Sequence, residues 1–121
     1  MPQIGTSQID YDKSNPHFSF YTHPDAILDT AGDETAGITF WKKGTVTYQY
    51  KLNNVGTNVQ AVILNSLDGV NFHEVATVST RTENKVYKEE FTGLLGITKL
   101  LLKSINGGTP SLDNIATGFT R

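Results

Sequence analysis

The sequence predicts an all-β fold: a two-sheet β-sandwich of Ig-like or jelly-roll type, with about eight short strands and an extended N-terminal arm. Three observations carry this expectation. Hydrophobic residues make up 37% of the chain and charged residues 18%, the balance being rich in Thr, Ser, Asn and Gly. That mixture suits short strands joined by polar turns, whereas helices draw on Ala, Leu, Glu, Lys and Arg. Within residues 45–52, Val46, Tyr48, Tyr50 and Leu52 alternate with polar neighbours, the period-two pattern of a half-buried strand. Turn signals also recur at short intervals, at Asn53-Asn54-Val55-Gly56, Asp68-Gly69 and Asn106-Gly107-Gly108. A chain of 121 residues can bury roughly two thirds of its unfolded surface. One core is therefore expected, in a domain over 17–121 behind an arm over 1–16.

Along the chain, residues 17–22 and 38–41 read as the first two strands of the domain. They are separated by a loop in which Pro24 and two glycines discourage regular structure, although 24–28 could form one helical turn. After the 45–52 strand, residues 59–64 end apolar on both faces, as a strand in the middle of a sandwich would. Asp68-Gly69 marks a hairpin, because Gly takes the positive φ of a tight turn and Asp tolerates it. A return strand is expected over 72–79 and another over 85–91. Residues 97–105 include three consecutive leucines but read as strand, since the run is short, lacks a good N-cap and is fenced by Gly96 and Asn106-Gly107-Gly108. Residues 115–120 supply the last strand.

Composition excludes several function classes. With no cysteine there is no disulfide framework, thiolate metal site or cysteine nucleophile. A net charge of −2 gives no basic footprint for nucleic acid. Neither a membrane-spanning apolar run nor a basic-then-apolar leader is present, so no membrane partner is expected and synthesis is expected in a cytoplasm. Charge is uneven, because residues 1–35 carry Asp10, Asp12, Asp25, Asp29, Asp33 and Glu34 against Lys13 alone.

Candidate chemistry is sparse. His17, His23 and His73 could serve as bases, but no nucleophile elbow accompanies them. The glycine-rich 106–110 segment lacks the lysine and helix of a phosphate loop. His17, His23, Asp25, Asp29, Asp33 and Glu34 offer metal donors without metal-site spacing, and they read as solvated loop residues. Glu89 and Glu90 are adjacent in a strand and so point to opposite faces, which rules them out as a hydrolytic carboxylate pair. No catalytic residue, cofactor or metal is expected, and the chain reads as a non-enzyme. Of Trp41, Tyr48, Tyr50, Phe72, Tyr87 and Phe91, most are expected in the core.

The segment Ser66-Leu67-Asp68-Gly69-Val70-Asn71-Phe72 resembles a hairpin found in small β-sandwich proteins of tailed-phage particles and in discoidin-like (F5/8 type C) domains. There the serine ends a strand, Asp-Gly turns, and the aromatic starts the return strand. Ser66, Asp68, Gly69 and Phe72 fill these turn roles here. The phage resemblance implies a virion structural protein, such as a capsid decoration (cement) or other head, neck or tail accessory protein. It would contact other virion proteins and form a homo-oligomer or sit on a lattice. Ile4, Ile9 and Tyr11, isolated apolar residues of the arm, are its expected partner-binding positions. The rival expectation is a carbohydrate-binding sandwich module, with aromatics such as Trp41 or Tyr87 stacking on sugar rings. A weaker third is a small jelly-roll enzyme with no site to nominate.

Overall fold

The computed structural model describes Ser7–Gln8 and residues 18–120, and among these it contains strands and turns but no helix. The strands are β1 (Ser7–Gln8), β2 (Phe18–His23), β3 (Ile38–Ser66), β4 (His73–Glu74), β5 (Ser79–Arg81) and β6 (Val86–Thr120). Two of them are long, 29 residues for β3 and 35 for β6, because each crosses between layers without leaving the hydrogen-bonded ladder. Short separate strands were expected at these places. The turn signals are instead corners: Asn54, Gly96, Gly107 and Gly108 all have positive φ and redirect the chain while pairing resumes on either side. At one corner Gly56 lies so close to residues 107–108 that a Cβ would sit 2.3 Å from the Gly107 carbonyl carbon, so no larger residue fits there.

The register resolves two layers. In the first, β2 pairs with residues 115–120, these pair with 45–49, and 45–51 pair on their other side with 86–92, all antiparallel. In the second, 38–40 pair with 96–98, 97–106 pair with 58–66, and β4 and β5 pair with the outer side of 59–65. β1 adds to the free side of Ile38 and Thr39 as a two-residue parallel strand. The expected single return strand over 72–79 is divided into β4 and β5. Between Leu64↔Glu74 and Ala61↔Ser79, two residues of β3 face four on the return, and the excess loops out of the ladder.

The core lies between the layers. Val46, Tyr48, Tyr50 and Leu52 are fully buried from the first, and Val59, Ala61, Ile63, Leu100 and Leu102 from the second. Phe40 stacks on Phe119 across the gap with ring centroids 4.9 Å apart. Two polar ties also join the layers. The Tyr48 hydroxyl is 3.0 Å from Thr98 Oγ1. Glu89 accepts hydrogen bonds from Tyr50 Oη at 2.6 Å, from Arg81 Nη2 at 2.9 Å and Nε at 3.1 Å, and from the Ser79 hydroxyl. Burial, together with the hydrogen bond and charge of Glu89, raises the Tyr50 phenol well above its usual range, so it stays a donor at any physiological pH.

Glu89 therefore ties β5 to the first layer, with a buried carboxylate whose partners come from both layers. We predict that Glu89→Gln costs about 2–3 kcal/mol of unfolding free energy, because it leaves the part-buried Arg81 guanidinium without its counter-charge. Urea denaturation measures this, and a change below 0.5 kcal/mol, about the scatter for unremarkable surface substitutions, would refute the role assigned to Glu89.

Candidate functional site

Side chains of the first layer alternate between the core and an open outer face. On that face the register aligns two rows running across four neighbouring strands: Phe20, Gly118, Thr47 and Glu90 in one, and Thr22, Ala116, Gln49 and Lys88 in the other. The second strand of each row offers only Gly118 or Ala116, so the surface dips between the taller side chains on either side. These eight residues, with Thr117 and Thr120, line a cleft of about 500 Å³. Four strands set side by side span about 14 Å, so the cleft is an elongated trough. Phe20, 65% exposed, stands at one end. Glu90 and Lys88 stand at the other, and Thr47 Oγ1 donates to Glu90 Oε2 at 3.2 Å.

His23 lies under the β2 side of the trough. Its ring is buried, with Nε2 2.8 Å from Thr117 Oγ1, edge-on to Tyr21 at 4.9 Å and stacked beside Tyr48 at 6.3 Å. Burial lowers its pKa from 6.5 to about 4. This residue helps fix β2, and with it Phe20 and Thr22, against the last strand.

The other sequence candidates are dispersed. Among the described residues no group of three or more acidic or histidine side chains could hold a metal. Asp33 instead accepts the backbone amides of Asp29 and Thr30 at 3.0 and 2.9 Å, and Glu34 pairs with Lys99 at 2.9 Å. His73 is exposed on β4, and His17 lies outside the described residues. Glu89 and Glu90 face opposite ways, the first into the core and the second into the trough. Ile4, Ile9 and Tyr11 lie outside the described residues.

In the hairpin motif, Ser66 ends β3 and its hydroxyl accepts the amides of Asp68 and Gly69 at 3.2 and 2.9 Å. Asp68 Oδ1 accepts the amides of Val70 and Asn71, each at 2.8 Å. These bonds, that from Asn71 foremost, hold the carboxyl well below the usual carboxylate range. Gly69 takes φ 77°, and Phe72 packs half-buried beneath the Lys99 ammonium, 4.4 Å from its ring centroid. The side chains of Ser66 and Asp68 are thus occupied in making the turn.

Of the aromatics proposed as sugar platforms, Tyr87 is unsuited. The Arg81 guanidinium covers its ring at 4.5 Å, Lys85 approaches at 5.4 Å, and its hydroxyl donates to the Glu83 carbonyl at 2.8 Å. Trp41 is 68% exposed, as a sugar platform would need, but it borders a separate hollow of about 430 Å³ formed with Leu67, Leu95 and Ile97, where Thr39 offers the one hydroxyl among the described residues. Phe20, which alternation with Phe18 would place inward, is the aromatic of the polar trough. The signal that could have located it is His23, which shares the face of Tyr21: once that ring is buried, period two turns Phe20 outward.

No protein-family model matches the chain, and no curated sequence matches it. Solved structures do. A CBM4 carbohydrate-binding domain superposes with a TM-score of 0.53 at 13% identity, covering 85% of this chain and 71% of that one. The N-terminal cellulose-binding domain of Cellulomonas fimi β-1,4-glucanase C covers 86% and 76% at 16% identity with a TM-score of 0.44. A protein of the disulfide-linked pili of Bacillus endospore appendages covers 85% and 82% at 9% identity with a TM-score of 0.32. Only the first is similar enough to speak to architecture, and it agrees that the chain is a β-sandwich. The likeness supports neither the tailed-phage nor the discoidin resemblance specifically.

The buried histidine makes stability depend on pH. His23 binds a proton in the unfolded chain near pH 6.5 but resists one in the fold until about pH 4. Its contribution is therefore fully present above pH 6.5 and is lost as pH falls from 6.5 to 4, by about 1–3 kcal/mol in total. Thermal melts across this range should show the loss, and His23→Gln should remove that component of it. An unchanged pH profile in His23→Gln would contradict the assignment.

Proposed function

We propose that this chain is a non-catalytic carbohydrate-binding module that holds a glycan chain along the trough of the first layer. The observation that carries this reading is the pair of four-strand rows, which set an exposed aromatic ring, hydroxyls, an amide and two charged groups along one open trough. A sugar ring presents an apolar C–H face that packs on an aromatic and an edge of hydroxyls that need donors and acceptors at fixed positions. Phe20 supplies the first, and Thr22, Thr47, Gln49, Lys88 and Glu90 supply the second. All of them sit on paired strands, so little ordering entropy is lost on binding.

Binding is favoured over hydrolysis because, among the described residues, Glu90 is the only carboxylate lining the trough, whereas acid–base cleavage of a glycoside uses two. The sandwich shared with a CBM4 domain is consistent with this reading. No observation favours the virion role over it.

We predict that Phe20→Ala lowers affinity for a bound oligosaccharide at least about tenfold, equivalent to roughly 1.4 kcal/mol, with little change in melting temperature because the ring is largely exposed. Trp41→Ala should leave affinity unchanged. Isothermal titration calorimetry on ligands found by glycan array measures both. Loss on Trp41→Ala with none on Phe20→Ala would move the site to the apolar hollow and overturn the proposal.

A further inference from the structure

We infer that the glycan is anionic, bearing carboxylate or sulfate groups, and that Lys88 is the residue that selects it; this rests on the trough being the glycan-binding face. Lys85, Lys99 and Lys103 each meet a carboxylate, at 3.6, 2.9 and 2.8 Å. Among the described residues Lys88 is the only cation lining the trough, and it is in no ion pair. Its backbone is fixed, since its carbonyl accepts Arg81 Nη2 at 3.2 Å, and its side chain is exposed beside Gln49.

The charged groups nearby leave that ammonium available. Glu90, two residues further along the same strand, is about 7 Å away, and one of its oxygens is engaged by Thr47. A ligand anion in contact with Lys88 gains more than it loses to a carboxylate at nearly the screening length. Glu89 faces the core and is neutralised by Arg81. Lys51 and Asp113 are cross-strand partners of opposite charge beyond the second row. A compact ammonium suits carboxylate and sulfate alike. Gln49 and Thr22, in the same row, can bond the hydroxyls of the sugars that follow.

The test is a calorimetric titration of the full chain against paired oligosaccharides: uronate oligomers and their carboxyl-reduced neutral counterparts, and sulfated oligomers and their desulfated counterparts. An acidic member bound at least tenfold tighter than its neutral counterpart is the expected result. That preference should shrink at high salt and disappear in Lys88→Gln, the acidic member losing more affinity than its neutral counterpart. Whether the uronate or the sulfated arm responds identifies the anion. Neutral members bound as tightly as acidic ones, or a preference that survives Lys88→Gln, would overturn this inference and leave carbohydrate binding standing. Failure of every pair, acidic and neutral, would overturn both.

Discussion

The structure depends on residues 45–51 being hydrogen-bonded on both sides, to 86–92 along one edge and to 113–120 along the other. A strand held on both edges cannot slip without breaking two ladders, and a one-residue slip would exchange its two faces. Its even positions, Val46, Tyr48, Tyr50 and Leu52, are thereby fixed in the core. Its odd positions, Thr47 and Gln49, are fixed in the trough. The hydrophobic effect that buries one set therefore positions the other, and the trough inherits the rigidity of the core.

The same division recurs on the neighbouring strand, where Glu89 and Glu90 differ in role because they differ in face. Glu89 has its lone pairs filled by Tyr50, Ser79 and Arg81, so a carboxylate in the interior becomes a tie between layers. Glu90 instead faces the trough, where among the described residues it accepts a hydrogen bond from Thr47 only. On β2, the buried ring of His23 helps hold Phe20 and Thr22 against the last strand, so stability and site geometry on that side share one anchor.

Much of this was legible in the sequence. Alternation in 45–52 locates the central strand and its buried face, two-sided apolarity marks 59–64, and adjacency separates Glu89 from Glu90. The Asn- and Gly-bearing turn signals fall where the chain changes layer. What they do not convey is that pairing continues around those corners, because continuity depends on close backbone approach, as at Gly56 and Gly107, between residues far apart in sequence. The trough was the least legible part. Its floor consists of residues chosen for smallness, Ala116 and Gly118, which carry no chemical signal. Its aromatic was hidden because polar His23 and Thr117 satisfy one another inside while apolar Phe20 stands outside. Trp41 and Tyr87 drew attention as aromatics, yet one borders an apolar hollow and the other is covered by Arg81.

The most direct test of the account is a map of backbone amide chemical shifts in the isotopically labelled protein as a bound oligosaccharide is added. The account predicts that the perturbed amides form a band across four strands, centred on residues 20–22, 47–49, 88–90 and 116–118, with the segments around Trp41 and Leu67 unaffected. Perturbations gathered around Trp41, Leu67 and Leu95, or confined to the loops with the trough unchanged, would contradict it.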